Sequence, residues 1–280
     1  MSELSSNLRL AFLGTGSMNG AILRGILASG HDPDLITATI RSENRKAELQ
    51  ELGINVVVTG EEANANAQVA AAADVVFLGV KPVGITQLCA QIASSLKNST
   101  VVVSVAAAIT LESMAAKLPA NQPLIRSMPN TPLQVGAGVV GLTPAEAVSE
   151  ESLAQVVDLF SGSGDVHVIA EAQQDALAAL SGSGPAYVFY LAEAMAKAGV
   201  QMGLDESVAI ALARATVAGA GKMLADPQVD PAELRRKVTS PKGTTEQAIA
   251  AFDRAELPQI VAEGMAQAAR RAAELSTELG

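Results

Sequence analysis

Ser240, Thr244 and Thr245 place three hydroxyls within six residues of the stretch Val238-Thr239-Ser240-Pro241-Lys242-Gly243-Thr244-Thr245-Glu246-Gln247. Pro and Gly force a turn there, and the helix that follows starts with N–H groups lacking intrahelical partners. Thr244 with Gln247 fits a capping box. One cap needs fewer hydroxyls than this. The pattern reads better as an anion pocket, in which Ser240, Thr244, Thr245 and the open N–H groups beside Gly243 converge on a small carboxylate. A second set of candidates lies near the other end, in Gly14-Thr15-Gly16-Ser17-Met18-Asn19-Gly20. Gly14 permits a tight turn, Gly16 lets a pyrophosphate approach the backbone, and the free N–H groups of a helix start attract the anion.

Hydrophobic patterning supplies the scaffold for both. Leu8 to Leu13 reads as a buried strand, and the helix after the glycine loop carries Ile22, Leu23, Ile26 and Leu27 on one face. The loop departs from GxGxxG, because Asn19 holds the third glycine position and Gly20 comes one place later. Its place directly after a strand still favours cofactor binding over an ordinary turn. Ile36 to Ile40 reads as a second strand, followed by a polar helix from Glu43 to Leu52. NAD-specific folds commonly end this strand with an acid that bonds the ribose hydroxyls. Here Arg41, Ser42 and Arg45 occupy the turn, and cations with a hydroxyl suit a 2′-phosphate. The expected cofactor is NADPH, with NADH less preferred.

Further strands are predicted at Ile54 to Val58, from Asp74 into Gly79, at Thr100 to Val105 and at Pro123 to Met128. An Ala-rich helix is expected from Glu61 to Ala72. Ligands of open α/β sheets lie beyond the carboxyl ends of the strands, where Gly79, Val80, Lys81 and Pro82 fall. Ala106, Ala107 and Ala108 follow the next strand. They are small enough for a flat ring or ribose to lie against the backbone, and they fit core packing equally well. Asn130 stands between Pro129 and Pro132, in a turn whose amide can meet a carboxamide or carbonyl, or simply lead rigidly into a strand from Gly136 to Leu142. A helix from Ser149 to Phe160 and a strand from Val166 to Ile169 complete this half. His31 and His167 have no partners at metal-ligand spacing, so no metal site is expected.

From Glu171 onward only helices are predicted. Ser181-Gly182-Ser183-Gly184-Pro185 reads as a glycine break before a helix with Pro in its first turn. The next helix starts at an Asp205 cap, runs to Leu224, and is apolar nearly all round in its middle, so a partner subunit is its expected cover. Asp230-Pro231-Ala232-Glu233 opens another helix, whose Arg235-Arg236-Lys237 run suits a solvated face or a phosphate. The fold class expected is α/β: an N-terminal Rossmann-like sheet over residues 1–170, then an all-helical C-terminal dimerisation domain over 171–280. With 280 residues, 49% hydrophobic but only 2% aromatic, the packing falls to Ala, Val, Ile and Leu. A single cysteine, Cys89, gives no internal disulfide. A formal net charge of −10 argues against nucleic-acid binding. With neither a signal-peptide pattern nor an uninterrupted apolar run of membrane length, no membrane partner and a cytoplasmic location are expected.

The sequence resembles the pyrroline-5-carboxylate reductases of proline biosynthesis over essentially its whole length. The resemblance is carried by the glycine loop, Gly79-Val80-Lys81-Pro82, Arg126-Ser127-Met128-Pro129-Asn130-Thr131-Pro132, Leu180-Ser181-Gly182-Ser183-Gly184-Pro185-Ala186-Tyr187 and Thr239-Ser240-Pro241-Lys242-Gly243-Thr244-Thr245. It implies reduction of 1-pyrroline-5-carboxylate to L-proline by NAD(P)H, a helical domain that interlocks with its mate as a homodimer, and assembly of dimers into decamers. By the same matching, Thr245 hydrogen-bonds the substrate ring nitrogen, Ser240 and Thr244 bind its carboxylate, and Glu171 lies near the substrate. Asn66, Gly79 to Pro82 and Ala106 to Ala108 lie along the cofactor. Lys242 departs from the pattern, standing where many members have Gly; its charge either attracts the carboxylate or points to solvent.

The chemistry is coherent on its own terms. A ketone reductase must protonate an emerging alkoxide, yet the helical half has no His or Cys in a motif suited to that. A protonated cyclic imine is already an electrophile, so the protein has mainly to place the ring and fix the carboxylate. The rival readings are another NADP-dependent reductase such as a hydroxyacid dehydrogenase, with Lys197 as its lysine, and a non-catalytic NADP-sensing protein.

Overall fold

The computed structural model describes residues 5–60, 62 and 64–279, in two compact units. One comprises the described residues up to Gly182 with those from Ala269 onward, and the other is Ser183–Ala268.

The first unit is built on eight strands: β1 (Leu10–Leu13), β2 (Ile36–Ile40), β3 (Asn55–Val58), β4 (Val75–Leu78), β5 (Val101–Ser104), β6 (Leu124–Pro129), β7 (Gly138–Pro144) and β8 (Gly164–Val168). Their order is β3-β2-β1-β4-β5-β6-β7-β8. The first six in that row are parallel, β7 runs antiparallel to β6, and β8 is parallel to β7. Strands covered on both faces read as unbroken apolar runs, and every residue of β1, β4 and β5 is buried. The sheet thus separates two cores. On one face Phe12 stacks on Phe77 at 4.6 Å, and Phe160 meets Phe77 edge-on at 5.8 Å. On the other, Leu13, Val76 and Leu78 pack with Ile85, Leu88, Cys89 and Ile92. Burial pushes the Cys89 thiol up to about 12, which makes it a small hydrophobe rather than a nucleophile.

The helix after the glycine loop is Ser17–Ala28 and buries Ile22, Leu23 and Ile26. The polar helix expected over 43–52 is a 3₁₀ turn, Glu43–Arg45, continued by a short helix, Lys46–Gln50. The Ala-rich helix is Ala65–Ala72; Glu61, its expected start, lies outside the described residues. The expected break around Ser181 is a π-turn, Ala178–Gly182, after which a helix runs from Gly184 to Gln201 with Pro185 in its first turn.

His31 is buried, with Nε2 at 3.1 Å from the Leu8 carbonyl oxygen and Nδ1 without a partner among the described residues. Burial lowers its pKa below 6.5, against the weaker upward pulls of the Leu8 carbonyl and Asp32. The unfolded chain therefore takes up this proton at a higher pH than the native one. The contribution to stability is full above about pH 6.5 and is lost as pH falls through the depressed native value. His31→Gln is expected to flatten the decline of Tm between about pH 7 and pH 5; an unchanged slope would assign that decline to other groups.

In the second unit, the helices Gly184–Gln201 and Glu206–Leu224 pack where Gly199 meets Ala209. Asp205 stands at the expected N-cap position but its side chain makes no capping bond, whereas Asp230 accepts from the Ala232 N–H at 2.9 Å. Phe189, Tyr190, Leu191, Ile210 and Leu212 are exposed. By length and composition alone Glu206–Leu224 is long and apolar enough to cross a membrane, with mean hydropathy 1.2. Arg214 at its middle, where charge costs most in lipid, fits cover by protein better.

Candidate active site

In the first unit the carboxyl ends of β1, β2 and β4 meet at the point where strand order reverses, the usual ligand crevice of an open α/β sheet. A cleft of about 500 Å³ opens there, lined by Gly14, Thr15, Gly16, Arg41, Ser42, Arg45, Gly79, Val80 and Lys81. Ile40, Val83 and Gly84 also line it. Sequence reasoning missed these three, although Val83 is a largely exposed apolar side chain two residues past Lys81. Pro82, Ser17 and Met18 stand outside the lining. Pro82 opens the 3₁₀ turn after the strand, Ser17 begins the helix, and Met18 packs partly against the core.

Two glycines make the cleft possible. Gly14 has φ +76°, and a Cβ on it would fall 2.5 Å from Val80 Cγ1. A Cβ on Gly79 would fall 2.2 Å from Asn19 Nδ2. The altered fingerprint is thereby explained: where a third glycine normally lets helix and strand approach, Asn19 is buried and the strand side gives up its side chain instead. Gly79→Ala is expected to overpack this contact and cost about 1–3 kcal/mol, with Asn19→Gly in the same chain restoring much of it. Thermal unfolding of the single and double variants checks the exchange; additive losses would sink it.

The helix Ser17–Ala28 has Gly16 as N-cap with no side-chain capping bond, so its first N–H groups stay open towards an anion. Thr39, not singled out from sequence, fixes the loop. Its Oγ1 accepts from the Gly14 N–H at 3.0 Å and donates to Asn66 Oδ1 at 2.9 Å. Asn66 itself is not part of the cleft lining; it holds Thr39 from behind. Arg45 spends Nη1 on the Thr15 carbonyl and Nε on Glu48, both at 3.0 Å.

In the second unit, Ser240–Gly243 is a turn closed by the Gly243 N–H on the Ser240 carbonyl at 3.0 Å. The helix Thr244–Arg254 begins straight after it, with Gly243 as N-cap and no side-chain capping bond. The expected capping box of Thr244 with Gln247 is therefore absent, because Thr244 is already the first helical residue. Ser240 Oγ lies 2.5 Å from where a Cβ on Gly243 would be, so only glycine leaves that hydroxyl over the helix start. Ser240 and Thr244 are exposed and Thr245 is half-buried. The helix start has no side-chain cap, and the Ser240, Thr244 and Thr245 hydroxyls stand beside it.

Residues 171–275 match the family model described as pyrroline-5-carboxylate reductase dimerisation, and residues 9–108 match NADP oxidoreductase coenzyme F420-dependent. A pyrroline-5-carboxylate reductase of Pseudomonas aeruginosa is 39% identical over 277 residues, 98% of this chain and 99% of that one. The chain belongs to the pyrroline-5-carboxylate reductases. The structure of the Coxiella burnetii reductase superposes with a TM-score of 0.90 at 35% identity, covering 96% of this chain and 98% of that chain. The Plasmodium falciparum reductase, whose structure has NADP bound, shares the fold with a TM-score of 0.82 at 23% identity, covering 97% and 99%.

Among residues matched to the reductase pattern, several do structural work. Asn130 is not presented to the cleft as a carboxamide contact. Its Nδ2 donates to the Ser181 carbonyl and hydroxyl, both at 3.2 Å, and its Oδ1 accepts from the Val139 N–H at 2.8 Å. Glu171 pairs with buried Arg126 at 2.6 Å and accepts from the Leu111 N–H at 3.2 Å. Ala106 and Ala108 are buried and Ala107 is exposed; none of the three is part of the cleft lining, and Ala108 adopts φ +66°. Lys197 pairs with Glu193 at 2.5 Å on an exposed helix face, which leaves it a poor proton donor. The dimerisation match spans the helices with exposed apolar faces, and the chain forms oligomers through this part.

Proposed function

We propose that this chain reduces 1-pyrroline-5-carboxylate to L-proline with NADPH in preference to NADH. The observation that carries the reading is its membership, at nearly full length, in a family that performs this NAD(P)H-dependent reduction. Residues 1–170 are assigned to the nucleotide and 171–280 to substrate and dimerisation. The cleft fits a dinucleotide: glycines where a Cβ would intrude, an uncapped helix start, and Arg41 with Ser42 for a 2′-phosphate. When bound, the reduced nicotinamide supplies the hydride.

The protein's own residues have a modest task. The N–H groups of Thr244 and Thr245, at the turn that Gly243 closes, make a setting for the substrate carboxylate with the Ser240 and Thr244 hydroxyls. The Thr245 hydroxyl bonds the ring nitrogen, holding the imine in its protonated, electrophilic form. Hydride adds to the imine carbon, the C=N π pair becomes the nitrogen lone pair, and the product is a neutral amine. No alkoxide forms, so no strong general acid is required. Assembly of dimers into decamers and a cytoplasmic location belong to the same proposal. The test is NADPH oxidation with and without pyrroline-5-carboxylate, repeated with NADH. Turnover only with the imine, and faster with NADPH, is expected; no imine-dependent oxidation would overturn the assignment.

A further inference from the structure

We propose that Glu246 is a positioning residue for the substrate-carboxylate turn, locking Lys242 into a backbone conformation that glycine adopts unaided. The inference rests on the function proposed above for this turn. In Ser240–Gly243, Pro241 precedes a residue of positive φ, the order of a type II turn, whose third position normally takes Gly. Lys242 occupies it with φ +60°. A side chain there crowds the carbonyl that follows, and nothing in lysine's chemistry relieves this.

One contact does. The Lys242 N–H donates to Glu246 Oε2 at 2.8 Å. Glu246 is the third residue of the helix Thr244–Arg254, the position whose carboxylate in a capping box reaches back to the N-cap N–H. Here that N–H, on Gly243, already closes the turn on Ser240, so Glu246 reaches one residue further and meets Lys242. The bond clamps the turn to the helix while leaving the Thr244 and Thr245 N–H groups open for an anion. Lys242 and Glu246 thus act as a pair: the glutamate's acceptor compensates for the missing glycine.

Steady-state kinetics with pyrroline-5-carboxylate and NADPH test this. Glu246→Ala is expected to raise KM for the imine about fivefold, the worth of one ordinary hydrogen bond, with kcat and the NADPH KM nearly unmoved. Glu246→Gln is expected to stay close to wild type, since its amide oxygen still accepts. Adding Lys242→Gly to Glu246→Ala is expected to bring KM back, because glycine needs no clamp at that φ. An unchanged KM in Glu246→Ala, equal damage in Glu246→Gln, or no rescue by Lys242→Gly would each overturn the proposal. Failure of the wild-type protein to turn over the imine would overturn the proposed function instead. The pairing is then read by thermal unfolding, where Lys242→Gly should raise Tm more in the Glu246→Ala background than in wild type; equal shifts overturn it.

Discussion

Thr245→Ala is expected to lower kcat for pyrroline-5-carboxylate reduction by about 10²-fold while leaving the NADPH Kd unchanged. Thr245 is the second residue of the helix Thr244–Arg254 and is half-buried, beside the exposed Thr244. In the proposed site the carboxylate has several donors, so losing one hydroxyl is expected to weaken binding only modestly. The ring nitrogen has one proposed partner, and its proton is what makes the adjacent carbon electrophilic. Removing that partner lets the nitrogen sit neutral and unaligned, a loss felt mainly in the chemical step. Alanine is a better helix former than threonine, so misfolding is not the expected cause of the loss. Thr245→Ser, which keeps the hydroxyl, should recover most of the rate. Turnover in Thr245→Ala equal to wild type would remove Thr245 from the reaction. A matching rise in the NADPH Kd would move it to the cofactor.

The sheet was legible because strands such as β1 and β4 are short apolar runs between turn residues, and Ile36–Ile40 is found with the bounds its pattern predicts. The cleft was legible at the level of loops, since strand ends and glycines mark it. Individual side-chain roles were less so. The sequence places Arg41 and Arg45 in the same turn, and only the fold shows that, of these two cleft residues, Arg41 pairs with no carboxylate among the described residues while Arg45 is braced between Thr15 and Glu48. Asn130 and Ser181 are distant in sequence, so nothing local announces that one amide serves the other. The sequence pairs Thr244 with Gln247 as a capping box, whereas the helix already begins at Thr244, straight after a turn closed by the Gly243 N–H on the Ser240 carbonyl. The apolar middle of Glu206–Leu224 was legible as a surface needing cover because it is apolar nearly all round, and Ile210 and Leu212 on it are exposed.

The distinction between the two arginines carries the second large prediction. Arg41→Ala is expected to lower kcat/KM for NADPH by about 10- to 100-fold, the range of one charge-assisted hydrogen bond to a phosphate, and to change kcat/KM for NADH little. Arg41 and Ser42 are exposed on the cleft at the end of β2, and among the described residues Arg41 pairs with no carboxylate. Its charge is thus available to a 2′-phosphate. Arg45 is engaged three ways, by the Thr15 carbonyl and by both oxygens of Glu48 at 3.0 and 3.1 Å. Releasing it to grip a phosphate would break bonds that shape the glycine loop. Arg45→Ala should therefore weaken NADPH and NADH together, through the loop rather than the phosphate. The Arg41 effect should also shrink as ionic strength rises, because the site is open to solvent. Equal losses with both nucleotides in Arg41→Ala, or a loss confined to NADPH in Arg45→Ala, would exchange the two roles. The selective residue would then be the one braced by Glu48, and that carboxylate would be competing with the phosphate for the same guanidinium.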